Sequence, residues 1–143
     1  MKFSTRTRYA LRLMLDLVSV PAGEFVALKD IAKKQDISVK YLEQIVIFLT
    51  RAGLLVSSRG PQGGYRLAKK PSEYTPGDVI RAIEGNLAPI ACLEQQPNTC
   101  PRAAHCTTLR FWEGLHQATS AYFDSMTLED LGSSENPADL CMR

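Results

Sequence analysis

The apolar positions of this chain fall into helical repeats, interrupted once by a short strand-like stretch. From about Ser4 to Val20, Tyr9, Leu13, Leu17 and Val20 recur at spacings of three or four, which predicts a helix capped by Ser4 or Thr5. Leu11, Met14, Leu15 and Val18 widen its apolar surface to most of the circumference, so it packs on more than one side, with a face left for a partner subunit. Pro21-Ala22-Gly23 ends it. Phe25 to Ala27 has the makings of a short strand, and Leu28 to Lys34 reads as a short helix with Leu28, Ile31 and Ala32 inward. Ser38 then caps a helix running to about Arg51 and stopped by Gly53, its apolar stripe being Leu42, Ile45, Val46 and Leu49. Lys40, Tyr41, Glu43, Gln44 and Ile47 lie to the side of that stripe or opposite it.

Two short helices joined by Gln35-Asp36-Ile37 make a helix-turn-helix candidate, a weak pattern by itself. The next segment raises its specificity. Leu54 to Val56 and Tyr65 to Leu67 flank Ser57-Ser58-Arg59-Gly60-Pro61-Gln62-Gly63-Gly64, which predicts a β-hairpin directly after the second helix, the wing of a winged helix. Arg59 stands in its turn, where an arginine can probe a DNA groove. A phosphate-cradling loop is a poor reading of Gly60 to Gly64, because no Lys-Ser/Thr pair and no helix come after it.

Lys69-Lys70-Pro71 begins a linker, and Thr75-Pro76-Gly77-Asp78 opens another helix with Thr75 at the cap, Pro76 at the first position and Asp78 at the third. Val79, Ile80 and Ile83 give it an apolar face, and Gly85 ends it. Regular structure lapses from Asn86. A helix from about Thr107 to Phe123 then presents Leu109, Trp112, Leu115, Thr119 and Tyr122 or Phe123 at the helical period, an aromatic face suited to another chain, to the core of its own protomer, or to both. Thr127 to Leu131 is a short capped helix, and residues 132–143 read as a flexible polar tail carrying Cys141. The predicted fold is mainly α with a small β-wing. A winged helix-turn-helix domain (1–85) is followed by a cysteine loop (86–106), a dimerisation helix with the short capped helix (107–131) and the tail.

Charge sharpens this division. Residues 1–85 carry 14 Lys and Arg against 8 Asp and Glu, a balance of +6, while the remainder carries 3 against 7, a balance of −4. The first part is the one suited to a polyanion. No apolar segment approaches the roughly 18 to 20 residues that span a bilayer. Arg12 and Asp16 interrupt the first apolar run, and no small-residue cleavage site follows it, so the expectation is a cytoplasmic protein with no membrane partner. Nothing points to an enzyme: there is no nucleophile-base pair, paired carboxylate motif or nucleotide loop, and the two histidines have no orienting acid nearby.

The stretch CLEQQPNTCPRAAHC holds three of the four cysteines, with seven residues between Cys92 and Cys100 and five between Cys100 and Cys106. It has too few large apolar residues to bury a core of its own. Thiolates are soft ligands suited to iron-sulfur clusters, zinc or copper(I), so a metal centre leads the readings. Zinc held by the three cysteines and His105 is an alternative, although the spacings exceed the two to four residues usual in zinc knuckles. A further alternative from another class is a winged helix used for protein docking, with its signal supplied by a partner enzyme.

RYAL at Arg8 to Leu11, ISVKYLEQI at Ile37 to Ile45, SSRGPQGGYRLA at Ser57 to Ala68 and the cysteine triad followed by Trp112 together resemble the iron-sulfur winged-helix transcription regulators typified by IscR, with NsrR and RirA as relatives. The similarity runs nearly to Leu131. It implies a dimeric bacterial regulator whose long C-terminal helices cross. It also implies that Cys92, Cys100 and Cys106 ligate an iron-sulfur cluster, [2Fe-2S] in preference to [4Fe-4S], on which affinity for a double-stranded operator depends. One departure matters. IscR-like proteins carry a histidine where this chain has Leu109, and NsrR-like ones an acidic residue near the position of Arg8. The fourth ligand is therefore open among His105, His116, Cys141, a carboxylate and a small thiol. In the DNA reading, the helix that Ser38 caps enters the major groove. Lys40 meets phosphate there, while Tyr41, Glu43 and Gln44 face base edges. Arg59 and Gly60 of the wing approach the minor groove, and Arg8 and Lys2 position phosphates.

Overall fold

The structure, a computed structural model, describes residues 2–133. Its first helix, α1 (Thr5–Val18), is capped by Ser4, whose side chain accepts from the Thr7 N–H. It ends two residues before the sequence pattern does, because Ser19 turns the chain ahead of Pro21. Thr7, Ala10, Leu13, Met14 and Leu17 form its buried seam. The residues expected to widen that surface, Leu11, Leu15 and Val18, are partly buried against the same core, so α1 is the central element.

α2 (Leu28–Gln35) and α3 (Val39–Arg51) pack on α1 through Ile31 and Ala32 and through Leu42, Ile45, Val46 and Leu49, the stripe read from the sequence. The turn between them passes through Asp36 at φ 54°, a left-handed position that aspartate tolerates better than most residues do. β1 (Leu55–Ser58) and β2 (Gly64–Leu67) pair antiparallel, Leu55 opposite Leu67 and Ser58 opposite Gly64. The strand expected at Phe25 to Ala27 shrinks to one bridge, Val26 with Tyr65. The approach there is so close that a Cβ at Gly64 would lie 2.1 Å from the Val26 carbonyl oxygen. Ala27 already caps α2, which leaves no residues for a longer ladder.

α4 (Pro76–Glu84) begins with the capping box that Thr75 and Asp78 predict. The residue before Thr75, Tyr74, is almost wholly buried: its hydroxyl donates to the Leu54 carbonyl at 2.7 Å and accepts from the Lys69 N–H at 2.9 Å. This pins the strand exit to the end of α3, and no helical or strand periodicity announces it. α5 (Leu109–Phe123) starts two residues later than predicted and has no buried residue. α6 (Leu128–Gly132) folds back on α1, with Leu128 completely buried in the core that the preceding helices build.

Candidate nucleic-acid interface and cysteine centre

The outer face of α3 is built by elimination. Once four apolar residues face α1, Lys40, Glu43, Gln44 and Ile47 are left exposed on the opposite side. Ser38 accepts from the Tyr41 N–H at 3.1 Å and so fixes where the helix starts. Tyr41 differs from its neighbours. It is half-buried, and its ring meets that of Tyr9 edge to face at 5.8 Å and 88°, which turns it partly toward α1. Arg59 and Gly60 are exposed in the turn of the β-hairpin. The turn is tight: Gly60 has φ 103°, and a Cβ on Gly63 would collide with the Ser58 carbonyl at 2.2 Å. Arg8 is exposed on α1, whereas Lys2 lines a groove with Phe3, Glu84, Pro89, Trp112 and Leu115. Its surroundings are thus α5 and the end of α4 rather than α3.

A polar lattice sets α2 against α1. Arg12 donates through Nε to Gln35 at 2.7 Å, Gln35 donates to Asp16, and Lys34 pairs with Asp16 at 2.8 Å. Arg12 also lies over the Tyr9 ring at 5.2 Å. Tyr41, Tyr9, Arg12 and Gln35 therefore form a continuous row of contacts joining all three helices. Sequence periodicity could not find it: Tyr9 falls on the apolar repeat of α1, but Tyr41, Arg12 and Gln35 look like ordinary surface residues.

The cysteine loop is more ordered than its composition predicts. Cys92 sits in a 3-10 turn at Ala91–Leu93, which Leu93 anchors by burial, and a second such turn at Ala103–His105 precedes Cys106. Cys92 and Cys100 are half-buried, and Cys106 is exposed. The Cys92 thiol is pushed above its ordinary value, chiefly by its hydrogen bond with Cys100 and then by desolvation, with like charge on Cys100 and Cys106 adding to this. Cys106 is shifted the other way. The Thr108 hydroxyl, 3.4 Å from its sulfur, is the main cause, and the N–H groups of Thr108 and Leu109 at the start of α5 and the Arg102 charge assist. Cys92 thus lies within electrostatic reach of both other thiols. Among the described residues, however, no three His, Cys, Asp or Glu side chains converge on a position that would hold an ion. As a donor set, three thiols on one loop fit an iron-sulfur cluster. Of the candidates for a fourth ligand, His105 is exposed, His116 on α5 has a buried Nδ1 with no hydrogen-bond partner, and Cys141 lies outside the described residues.

Two junctions fix the helices on either side of this loop, α4 on α1 and α5 on α4. Glu84, at the end of α4, accepts from the Ser4 N–H and hydroxyl at 2.8 Å each and from the Thr7 hydroxyl. Those bonds, the one from Thr7 foremost, hold its carboxyl below the usual range. Asp124, at the end of α5, accepts from Arg81 and from the Thr75 hydroxyl, which lowers its pKa in turn. It comes so near that a Cβ on Gly77 would lie 2.2 Å from its carboxylate. Phe3 and Phe123 add an edge-to-face contact at 5.8 Å.

A family model described as Rrf2, an iron-dependent transcriptional regulator, matches residues 3–134. This chain belongs to the Rrf2 family. Relatives within it include the protein rrf2 of Nitratidesulfovibrio vulgaris, 42% identical over 92% of this chain and 87% of its own length. The transcriptional regulator IscR of Aliivibrio salmonicida is 37% identical over 92% of this chain and 77% of its own. Among solved structures, CymR, the global cysteine regulator of Bacillus subtilis, superposes with a TM-score of 0.70 at 36% identity, over 93% of this chain and 97% of that one. The Rrf2 chain is accordingly a DNA-binding transcription regulator with a winged-helix fold, not an enzyme. The resemblance carried by RYAL, YLEQ, the RGPQGGY wing and the cysteine triad is borne out at the level of the family. Among its described residues, no helix of this Rrf2 protein is long and apolar enough to cross a membrane.

Proposed function

We propose that the protein is a homodimeric, cytoplasmic transcription regulator whose operator binding is controlled by an iron-sulfur cluster held by Cys92, Cys100 and Cys106. The observation that carries this reading is the position of the three thiols. They lie on one loop between α4, which Glu84 holds on α1, and α5, whose end Asp124 holds on α4. When bound, the cluster supplies a redox-active and labile centre, so its presence or state is a signal the protein can report. Ligation by the three cysteines would order the loop and so bear on how α5 sits on α4. A coupling of about 1–3 kcal/mol alters operator affinity roughly 5- to 150-fold.

The DNA contacts follow from chemistry. The exposed face of α3 enters the major groove, where Gln44 pairs with adenine, Glu43 accepts from cytosine and Lys40 meets phosphate. Arg59 and Gly60 bring the wing to the minor groove. Ser38 and Arg8 add phosphate contacts that set register without reading sequence. The dimer forms through α5, which buries none of its residues in the protomer and exposes about two-thirds of Phe111 and of Tyr122, 66% each. Eleven residues apart, these two rings lie on one helix face.

The likeness to CymR, named a global cysteine regulator, favours a second reading in which the loop thiols act without a metal. Anaerobic purification followed by an absorption spectrum and by iron, sulfide and zinc analysis separates the two. Visible absorbance with matching iron and sulfide, and operator affinity that differs between cluster-loaded and cluster-free protein, is the expected result. Colourless protein without iron or sulfide, or identical isotherms at fixed salt, overturns it.

A further inference from the structure

Among the described residues, the large apolar side chains left exposed are Val39, Ile47, Phe111 and Tyr122. The last two belong to the proposed dimer face. Ile47 stands on α3 with 47% of its surface in water. At about 100° per residue it falls between Glu43 and Gln44 around the helix, next to Lys40, and on the side opposite Leu42, Ile45, Val46 and Leu49. It is thus central to the face that would read DNA, amid exposed polar residues. A β-branched side chain at a solvated helix position gains nothing in helix propensity, so the stability of α3 does not explain the choice. Each base pair shows a distinct pattern in the major groove, and the feature an aliphatic side chain can recognise there is the thymine C5-methyl group.

We infer that Ile47 is a specificity-determining residue that packs on a thymine methyl group in the operator half-site. This rests on the placement of α3 in the major groove. Ile47 lies three and four residues beyond Gln44 and Glu43, about 5 Å along the helix axis, so its thymine lies within about two base pairs of the bases they meet.

The test uses full-length, cluster-loaded protein and a duplex selected from a random pool. Each thymine of that duplex is replaced in turn by deoxyuridine, which removes only the methyl group. Binding of wild type, Ile47→Ala and Gln44→Ala is then followed by fluorescence anisotropy at fixed salt. At one thymine per half-site the wild type should lose roughly three- to tenfold in affinity, as loss of one buried methyl predicts. Ile47→Ala should bind the unmodified duplex more weakly and show no further loss at that thymine. If Ile47→Ala remains as sensitive as wild type at every position, or if no thymine methyl matters to wild type, the inference is overturned. Gln44→Ala separates that failure from a failure of the underlying reading. If it changes base preference while Ile47→Ala does not, only the methyl contact is wrong; if neither does, or if no duplex is selected, α3 does not read the major groove and the inference falls with it.

Discussion

Tyr9 of α1 and Tyr41 of α3 meet edge to face, ring centroids 5.8 Å apart, in the first turn of α3. The contact joins a helix buried on several sides to the first turn of the one whose outer face is proposed to read DNA. Edge-to-face pairs contribute about 0.5–1.5 kcal/mol beyond the area they bury. Tyr9→Leu and Tyr41→Leu should each lower stability, and the double variant should lose less than the sum of the two. Denaturant unfolding of all four proteins measures the coupling, and strictly additive losses would show that the rings do not interact.

Tyr74 ties the start of α4 to the end of α3 through the Leu54 carbonyl. Tyr74→Phe keeps the ring but leaves a buried acceptor and the Lys69 N–H without their partner, a loss of about 1–3 kcal/mol. A midpoint shift in urea with unchanged slope is the expected signature; no shift would mean that water replaces the hydroxyl.

Glu84 sets an acid limit. Its carboxyl is lowered from the ordinary value of 4.5, so the folded state binds this proton less readily than the unfolded chain does. Its contribution is therefore present in full above that ordinary value and is lost as pH falls through the lower folded one. Glu84→Gln should be less stable than wild type at neutral pH, and the gap should close in acid. Thermal melts from pH 7 down to about 3 test the sign, and a gap that widens in acid would reverse it.

The α5 face carries the dimer proposal. Phe111→Glu places a charge in the proposed interface, where loss of an aromatic anchor commonly costs about 2 kcal/mol or more. Sedimentation equilibrium should show a shift toward monomer with the helical content retained. A variant as dimeric as wild type would move the interface elsewhere.

Arg59 separates readout from mere attraction. Arg59→Ala should weaken binding to a selected operator by about 1–3 kcal/mol and relax base preference beneath the wing. Equal loss on every duplex, with a shallower salt dependence, would instead make Arg59 a phosphate contact.

What was legible from sequence and what was not divide along a physical line. The helix-turn-helix, the wing and the start of α4 are local events. Ser38, Gly53 and the Thr75/Asp78 box stop or start helices through bonds spanning only a few residues, and the period of Leu42, Ile45, Val46 and Leu49 states which face is buried. The family was legible for the same reason, since the YLEQ helix and the RGPQGGY wing are contiguous. Long-range pairing is another matter. That Glu84 closes on Ser4, that Asp124 reaches Arg81 over a glycine, that Tyr74 seeks Leu54, and that Leu128 returns to the core are contacts between residues 20 or more positions apart, or between separate elements. Taken alone, none of these residues announces its partner. By itself, the sequence determined that three thiols share a loop behind a helix-turn-helix and its wing. Only the tertiary structure decided that the helix before this loop is held on α1 through Glu84 and the helix after it on α4 through Asp124, because side chains far apart in the chain become neighbours only once the core has formed.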